Sequence, residues 1–207
     1  MVEGQLRKRG IRDERVLAAM LTVPRHEFVP AEFIAEAYGD RPLPIGQEQT
    51  ISQPFMVAAM AEALRLTGGE RVLEIGGGSG YQAAVLSLLA REVHIVEIQE
   101  DLAAAARERL RRLGYDNVHV HVGDGSLGWP EAAPFDAILV TAAAPAIPPP
   151  LVAQLAEAGR LLLPVGSEES QRLLCVEKHG GVFSRNALHH CRFVPLIGAY
   201  GWRSKDG

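Results

Sequence analysis

The sequence predicts an α/β fold built on a doubly wound, mostly parallel sheet, and three observations predict it. Short β-type apolar runs begin near Val72, Val93, Val118, Phe135 and Leu161. Helical patterns lie between them, over 81–91, 100–113, a short one near 127–133, and 148–158. A glycine-rich turn, Gly76–Gly80, follows the first run. Strands alternating with helices of this length imply βαβ units. The nearly unbroken apolar character of the runs fits strands buried on both faces.

The 207 residues are 47% hydrophobic and 22% charged, a globular composition that excludes general disorder. The length fits one domain over 1–207. It divides into N-terminal helices and a loop (1–70), a βαβ core (71–166) and a C-terminal hairpin or tail (167–207). A formal net charge of -4 gives no support to a dedicated nucleic-acid binder. Cys175 and Cys191 cannot form a disulfide framework. The opening MVEGQLRKRG has no apolar signal core, and no apolar run is long enough to span a membrane. The expectation is a cytoplasmic monomer with no membrane and no nucleic-acid partner.

Ahead of the core, Val16, Leu17, Met20 and Leu21 fall on one helical stripe, which Pro24 stops. Arg7, Lys8, Arg9, Arg12 and Arg15 share that segment with Glu3, Asp13 and Glu14 and read as a solvated helix face. Gly39–Pro54, with three prolines and two glycines, reads as a loop with functional potential. At the other end, 171–203 reads as a hairpin turning at Gly180-Gly181, followed by an antiparallel return.

The strongest local signal is VLEIGGGSGY, residues 72–81. Glycines at 76, 78 and 80 allow a sharp turn and a close ligand approach. Ser79 and Gln82 have capping-box spacing, so Ser79 reads as a helix cap; the helix start also offers N–H groups to an anion. The third glycine comes one residue early for a dinucleotide fingerprint. Glu74, just before the loop, would oppose a pyrophosphate and suit a cationic ligand. S-adenosylmethionine carries an ammonium, a carboxylate and a sulfonium, and no phosphate. Glu74, Gly76, Gly78 and Gly80 in E-x-G-x-G-x-G order therefore resemble the Rossmann-like methyltransferase motif. Glu97, ending the second core strand, is placed to accept ribose hydroxyls, or is an exposed strand-end carboxylate. Asp124, within Gly123-Asp124-Gly125, is placed to accept from an adenine amino group, or is a turn aspartate. All three lie on the rim where open α/β sheets bind ligands.

The chain also resembles a known family over about residues 5–198. The segments are VPRHEFVP (23–30), QTISQPFMVAAM (49–60), VLEIGGGSGYQAA (72–84), GDG (123–125), FDAILVTAAAP (135–145), GRLLLPVG (159–166) and RFVPLIG (192–198). Together they are similar to the protein-L-isoaspartate (D-aspartate) O-methyltransferases. The resemblance implies a Rossmann-like methyltransferase with an antiparallel C-terminal strand and an N-terminal helical extension. It implies S-adenosyl-L-methionine as cofactor and S-adenosyl-L-homocysteine as product. The substrates implied are damaged proteins and peptides with isoaspartyl residues, methylated on the free α-carboxylate. The ester then closes to a succinimide, whose hydrolysis restores some normal linkage.

The family's active-site serine falls on Ser52, which by its residues alone reads as a helix cap before Pro54. Family cofactor contacts carry over to Thr50, Ser52, Gln53, the Gly76–Gly80 loop with Ser79, Glu97, Ile98, Asp124 and Gly125. Val194, Pro195 and Leu196 are expected to offer backbone groups to the substrate peptide, and Ser52 is expected to hydrogen-bond and aim its carboxylate without being methylated itself. Gly77 stands where the family has threonine or serine. Gln47-Glu48 replaces a Tyr-Gly or similar pair, which puts a negative charge near a site meant for a carboxylate.

No metal is expected. His119 and His121 alternate on one strand face, and His189, His190 and Cys191 cluster in the tail, but none has zinc-finger spacing. Arg107, Arg109, Arg111 and Arg112 read as a solvated helix face. Two other functions stay open: a methyltransferase of this fold acting on RNA or a small molecule, and a non-catalytic S-adenosylmethionine-binding protein.

Overall fold

A computed structural model describes residues 1–203; the last four residues of the expected tail, 204–207, lie outside it. Nine strands and five α-helices follow in order. Helix α1 spans Glu14–Thr22 and begins where Asp13 accepts from the Arg15 and Val16 N–H groups. Val16, Leu17, Ala19 and Met20 are buried, but Leu21 is 76% exposed. It lies about 140° around the helix from Val16, past the edge of the buried arc, and Ala19 takes the place expected for it. The basic residues before Glu14 precede the helix and do not line its face. Arg7 sits in a short helical turn and pairs with Glu3 at 2.8 Å and Glu14 at 2.7 Å. Arg15 donates to the backbone oxygens of Leu66 and Leu89.

The segment expected to be a loop holds a small hairpin, β1 (Leu43–Gly46) and β2 (Gln49–Ile51). Gln47 and Glu48 form its turn at φ 50° and 56°. Two successive left-handed residues are what a tight hairpin needs, and glycine or asparagine usually supplies them. Helix α2, Pro54–Leu64, follows with Pro54 in its first turn.

The core then alternates: β3 (Arg71–Ile75), α3 (Tyr81–Ser87), β4 (Glu92–Glu97), α4 (Glu100–Arg112), β5 (Val118–Val122), β6 (Phe135–Val140), α5 (Pro149–Ala153) and β7 (Leu155–Gly166). The tail is β8 (Gln171–His179) and β9 (Val182–Cys191). They turn at Gly180-Gly181, both at positive φ, as expected. One sheet runs β5-β4-β3-β6-β7-β8-β9. The first five strands in that order are parallel; β8 and β9 are antiparallel.

Alternate residues of each strand feed cores on opposite faces. Val72, Val93 and Ile95 pack with residues of α1, α2 and α3. Leu73, Ile75, Val96 and Ile138 pack on the other side with Leu151 of α5. Two expected boundaries differ. The helix read over 148–158 stops at Ala153, because Leu155 pairs with Phe135 and draws the chain into β7. Pairing with a buried strand overrides the helical composition of LAEAG. The helix expected near 127–133 is two single 3-10 turns, Gly125–Leu127 and Pro130–Ala132. Among the described residues no helix is long and apolar enough to cross a membrane.

Chain order reverses beside β3: β4 and β5 lie on one side, β6 and β7 on the other. Loops leaving the carboxyl ends of β3 and β6 diverge there and open a crevice.

The hairpin gives a direct check on its own strain. Glu48→Gly removes a side chain held at positive φ, where the penalty is about 1–2 kcal/mol, against about 0.5–1 kcal/mol of extra glycine freedom lost. The variant is expected to unfold at higher urea with an unchanged slope.

Candidate active site

The crevice is a cleft of about 840 Å³, counting the open solvent at its mouth, walled by the glycine loop, the ends of β3 and β4, the β1–β2 hairpin and the tail near Pro195. β3 delivers Glu74 and the loop to it. The Gly76 N–H donates to the Val96 oxygen at 2.9 Å, tying the loop to the neighbouring strand. Gly76 and Gly78 both have positive φ, which their lack of a Cβ permits. Gly77 has a different reason. A Cβ there would lie 2.2 Å from Ile95 Cγ2, so the branched, fully buried Ile95 occupies the space a threonine or serine would need.

Glu97 is buried, not an exposed strand-end acid. Its Oε2 accepts from the Gly78 N–H at 2.9 Å and its Oε1 from the Gln99 N–H at 3.0 Å. It thereby fastens the loop to the end of β4. Ile98 beside it lines the cleft and is exposed.

The expected Ser79–Gln82 capping box does not form. Gly80 is the N-cap of α3, and Ser79 Oγ accepts weakly from the Tyr81 N–H at 3.3 Å. Gln82 is thereby released to the cleft wall, where its Nε2 is buried with no partner among the described residues. Glu74 Oε2, on the same cleft, is buried and likewise has none among them. Burial first, and the Glu97 charge second, push the Glu74 carboxyl well above the usual carboxylate range. One wall thus holds an unpaired acceptor and an unpaired donor. A ligand with an ammonium and a carboxylate satisfies both.

A second cleft, of about 1480 Å³, runs between α2 and the tail. Gln53, Met56, Gln171, Arg192 and Phe193 are among its walls. The two clefts share Thr50, Ser52, Thr141, Val194 and Pro195. Ser52 sits between β2 and α2, but it is not the helix cap: Gln53 holds that position. Its carbonyl accepts from Arg25 Nη2 at 2.7 Å. Its hydroxyl has no partner among the described residues. Arg25 is fully buried; its Nε donates to the Ala37 oxygen at 2.7 Å and its guanidinium lies 4.7 Å from the Tyr81 ring centroid. It therefore positions the Ser52 backbone from behind.

Other expected site residues are placed as follows. Asp124 Oδ1 accepts from the Ser126 N–H and hydroxyl, and Oδ2 from the Ala199 N–H at 2.7 Å. Its carboxylate anchors the tail, while Gly125 lines the cleft. Gly80 caps α3 behind the wall. In the tail, the Val194 carbonyl and Leu196 N–H already pair with Ala143, and the Leu196 carbonyl accepts from Trp202. The Val194 N–H and the Pro195 carbonyl have no partner among the described residues. Glu48 is exposed at the hairpin tip, so its charge faces solvent.

Arg25, Gln82 and Thr141 were not singled out as site residues from sequence. Gln82 was masked by its capping spacing, and Arg25 acts through a backbone oxygen 27 positions away. Thr141 sits at the end of β6, where only the position on the rim could have signalled it.

A doubly wound sheet with a G-x-G-x-G loop and a buried acid at the rim of its crevice fits a Rossmann-like S-adenosylmethionine-dependent methyltransferase. Comparison with known proteins narrows this. The chain belongs to the protein-L-isoaspartate(D-aspartate) O-methyltransferase family, which matches residues 1–201. It is 57% identical over 198 residues to the protein-L-isoaspartate O-methyltransferase of Roseiflexus castenholzii, covering 96% of this chain and 91% of the relative. Among solved structures, a protein-L-isoaspartate O-methyltransferase superposes with TM-score 0.87 at 34% identity. The match covers 95% of this chain and 65% of that longer one. A Plasmodium falciparum structure described as a beta-aspartate methyltransferase, in complex with S-adenosyl-L-homocysteine, superposes with TM-score 0.82 at 30% identity. That match covers 93% and 94% of the two chains.

The folded, empty protein holds the Glu74 proton more tightly than the unfolded chain does. Its stability from this group is therefore present at low pH and declines as pH rises from the unfolded carboxylate range to the raised value. Glu74→Gln removes that penalty. At neutral pH the unliganded variant is expected to be at least as stable as the parent. Its affinity for S-adenosylhomocysteine, read by calorimetry, is expected to fall at least about tenfold, since a hydrogen bond to a charged group is worth about 1.5–3 kcal/mol.

Proposed function

We propose that the chain methylates the free α-carboxylate of L-isoaspartyl residues, and the free side-chain carboxylate of D-aspartyl residues, in damaged proteins and peptides. Methylation starts a repair that proceeds through a succinimide. The observation that carries this reading is the meeting of two clefts at Ser52: one with fittings that suit S-adenosylmethionine, the other, between α2 and the tail, open to a peptide.

The bound cofactor supplies a methyl group made electrophilic by its positively charged sulfur. Glu74 and Gln82 hold its amino-acid end. Glu97, with lone pairs left beyond its two backbone bonds, takes the ribose hydroxyls. Ile98, Gly125 and, through its remaining acceptor capacity, Asp124 border the base. Thr50 and Ser52 close the cleft from the hairpin side, while Gln53, expected on the cofactor, faces the second cleft; Ser79 with Gly76, Gly78 and Gly80 shapes the loop.

The α-carboxylate needs no base. With a pKa of about 3.3–3.7 it is ionised at neutral pH, so a general base would contribute little. The protein's task is alignment, and good alignment of reactants is worth up to about 7–11 kcal/mol. The free Ser52 hydroxyl donates to the carboxylate and aims one oxygen at the methyl carbon. A carbon–oxygen bond forms as the carbon–sulfur bond breaks, leaving an ester and S-adenosylhomocysteine. The Val194 N–H and Pro195 carbonyl meet the peptide backbone. Reading main chain in this way tolerates many sequences, which a repair enzyme needs.

The same reading takes 1–207 as one methyltransferase domain that acts as a monomer, without nucleic acid. The free thiols Cys175 and Cys191 suit a reducing cytoplasm.

An isoaspartyl peptide and its aspartyl twin test the substrate directly. Methyl ester is expected from the first and none from the second; equal transfer, or transfer only to RNA or a small molecule, would contradict the proposal. Ser52→Ala is expected to lower kcat by about 10- to 100-fold, the loss of one charge-assisted hydrogen bond, with S-adenosylhomocysteine affinity nearly unchanged. Undiminished turnover would remove Ser52 from its role.

A further inference from the structure

A cluster of histidines lies outside both clefts, where β4 pairs with the edge strand β5. His94 stands directly opposite His119 in the parallel register, with ring centroids 5.0 Å apart. His121, two residues on along β5, stacks on His94 at 5.4 Å. Trp129 in turn stacks on His121 at 4.0 Å. Only short 3-10 turns follow β5, so this face of the sheet is partly open to solvent. Glu92, two residues before His94, points to the same face by strand alternation.

We propose that Glu92, His94 and His119 form a binding site for a divalent transition-metal ion of the zinc class. One donor atom from each side chain lies within 4.8 Å of the other two. Ligands around a zinc ion sit about 2.0–2.1 Å from the metal, so small side-chain rotations bring all three to bonding distance. Two imidazoles and a carboxylate suit zinc, cobalt or nickel, and not calcium or magnesium, which prefer oxygen. Three protein ligands leave one position for water.

The surroundings fit the role. His94 Nδ1 lies 3.1 Å from His121 Nε2. With Nδ1–H donating to His121, Nε2 of His94 carries the lone pair a metal takes. A ligating histidine whose second nitrogen is held by a hydrogen bond is the usual outer-shell arrangement, and the Trp129 stack holds His121 in turn. Two cations also approach Glu92, Arg71 and Arg91, but both are on Oε1. Oε2 has no hydrogen bond among the described residues and is the oxygen left for the ion. Because the ligands come from two strands, no local sequence spacing announces the site.

Bound metal would staple the exposed strand β5 to β4, and binding to the folded state alone raises stability by mass action. The test is titration of the full-length protein with Zn2+, read by calorimetry, with Co2+ as a spectroscopic substitute. One ion per chain, visible bands for low-coordinate Co2+ and a raised Tm are expected. His119→Gln and Glu92→Gln should each weaken binding at least tenfold. His189→Gln, in the exposed tail, should leave it unchanged. His119 is exposed, so its variant is expected to fold; its S-adenosylhomocysteine affinity should match the parent. No stoichiometric Zn2+ binding, or binding that survives both substitutions, would overturn the proposal.

Discussion

The structure turns on a carboxyl buried without a full set of partners. Glu74 is the last but one residue of β3 at the centre of the sheet, and its Oε2 has no partner among the described residues. Leaving such a group unsatisfied costs about 1–3 kcal/mol, and more when it is charged. A core of alternating Val, Leu and Ile would be more stable with an apolar residue there. The acid makes physical sense only if a cation arrives to meet it. The other fittings of the cleft follow from the same need. Glu97 fastens the loop with both oxygens, so the glycines leave an open floor beside Glu74. Gln82 withholds its amide from the helix cap and leaves a buried donor on the same wall, where the proposed reading places the ligand's carboxylate.

Ser52 is held by a different device. It lies on no regular element, between a three-residue strand and a helix start. Arg25 supplies the rigidity that its position lacks, bonding the Ser52 and Ala37 backbones from the protein interior. Burial lowers the Arg25 pKa, yet the group gains two backbone acceptors and an aromatic face. The chemistry proposed for Ser52 is alignment and not proton transfer, so a fixed backbone matters more than a perturbed pKa.

Much of this was legible in the sequence. Runs such as VLEI and FDAILV are buried on both faces and read as strands without ambiguity. The Gly180-Gly181 turn announced the β8–β9 hairpin through turn chemistry alone. LAEAG was misread as helix because pairing with β6 decides its state, and no local pattern reports that. Leu21 was misplaced because a stripe shows which residues share a face, not where burial ends. In the site, Glu74 and the glycines could be read because their chemistry is local. Gln82 and Ser52 each fit a capping rule that the backbone did not use, and Arg25 works across a gap in sequence. Gly77 looked like a missing hydroxyl, and its cause was the volume of Ile95 on the next strand.

The claim that Glu74 is held in reserve for a cationic ligand is tested most directly by NMR titration of its side-chain carboxyl. The spectra would be compared with and without saturating S-adenosylhomocysteine. The account predicts that Glu74 titrates well above the ordinary carboxylate range in the free protein, and that its pKa falls when the ligand's ammonium is present. A free-protein pKa in the ordinary range, unmoved by binding, would contradict it.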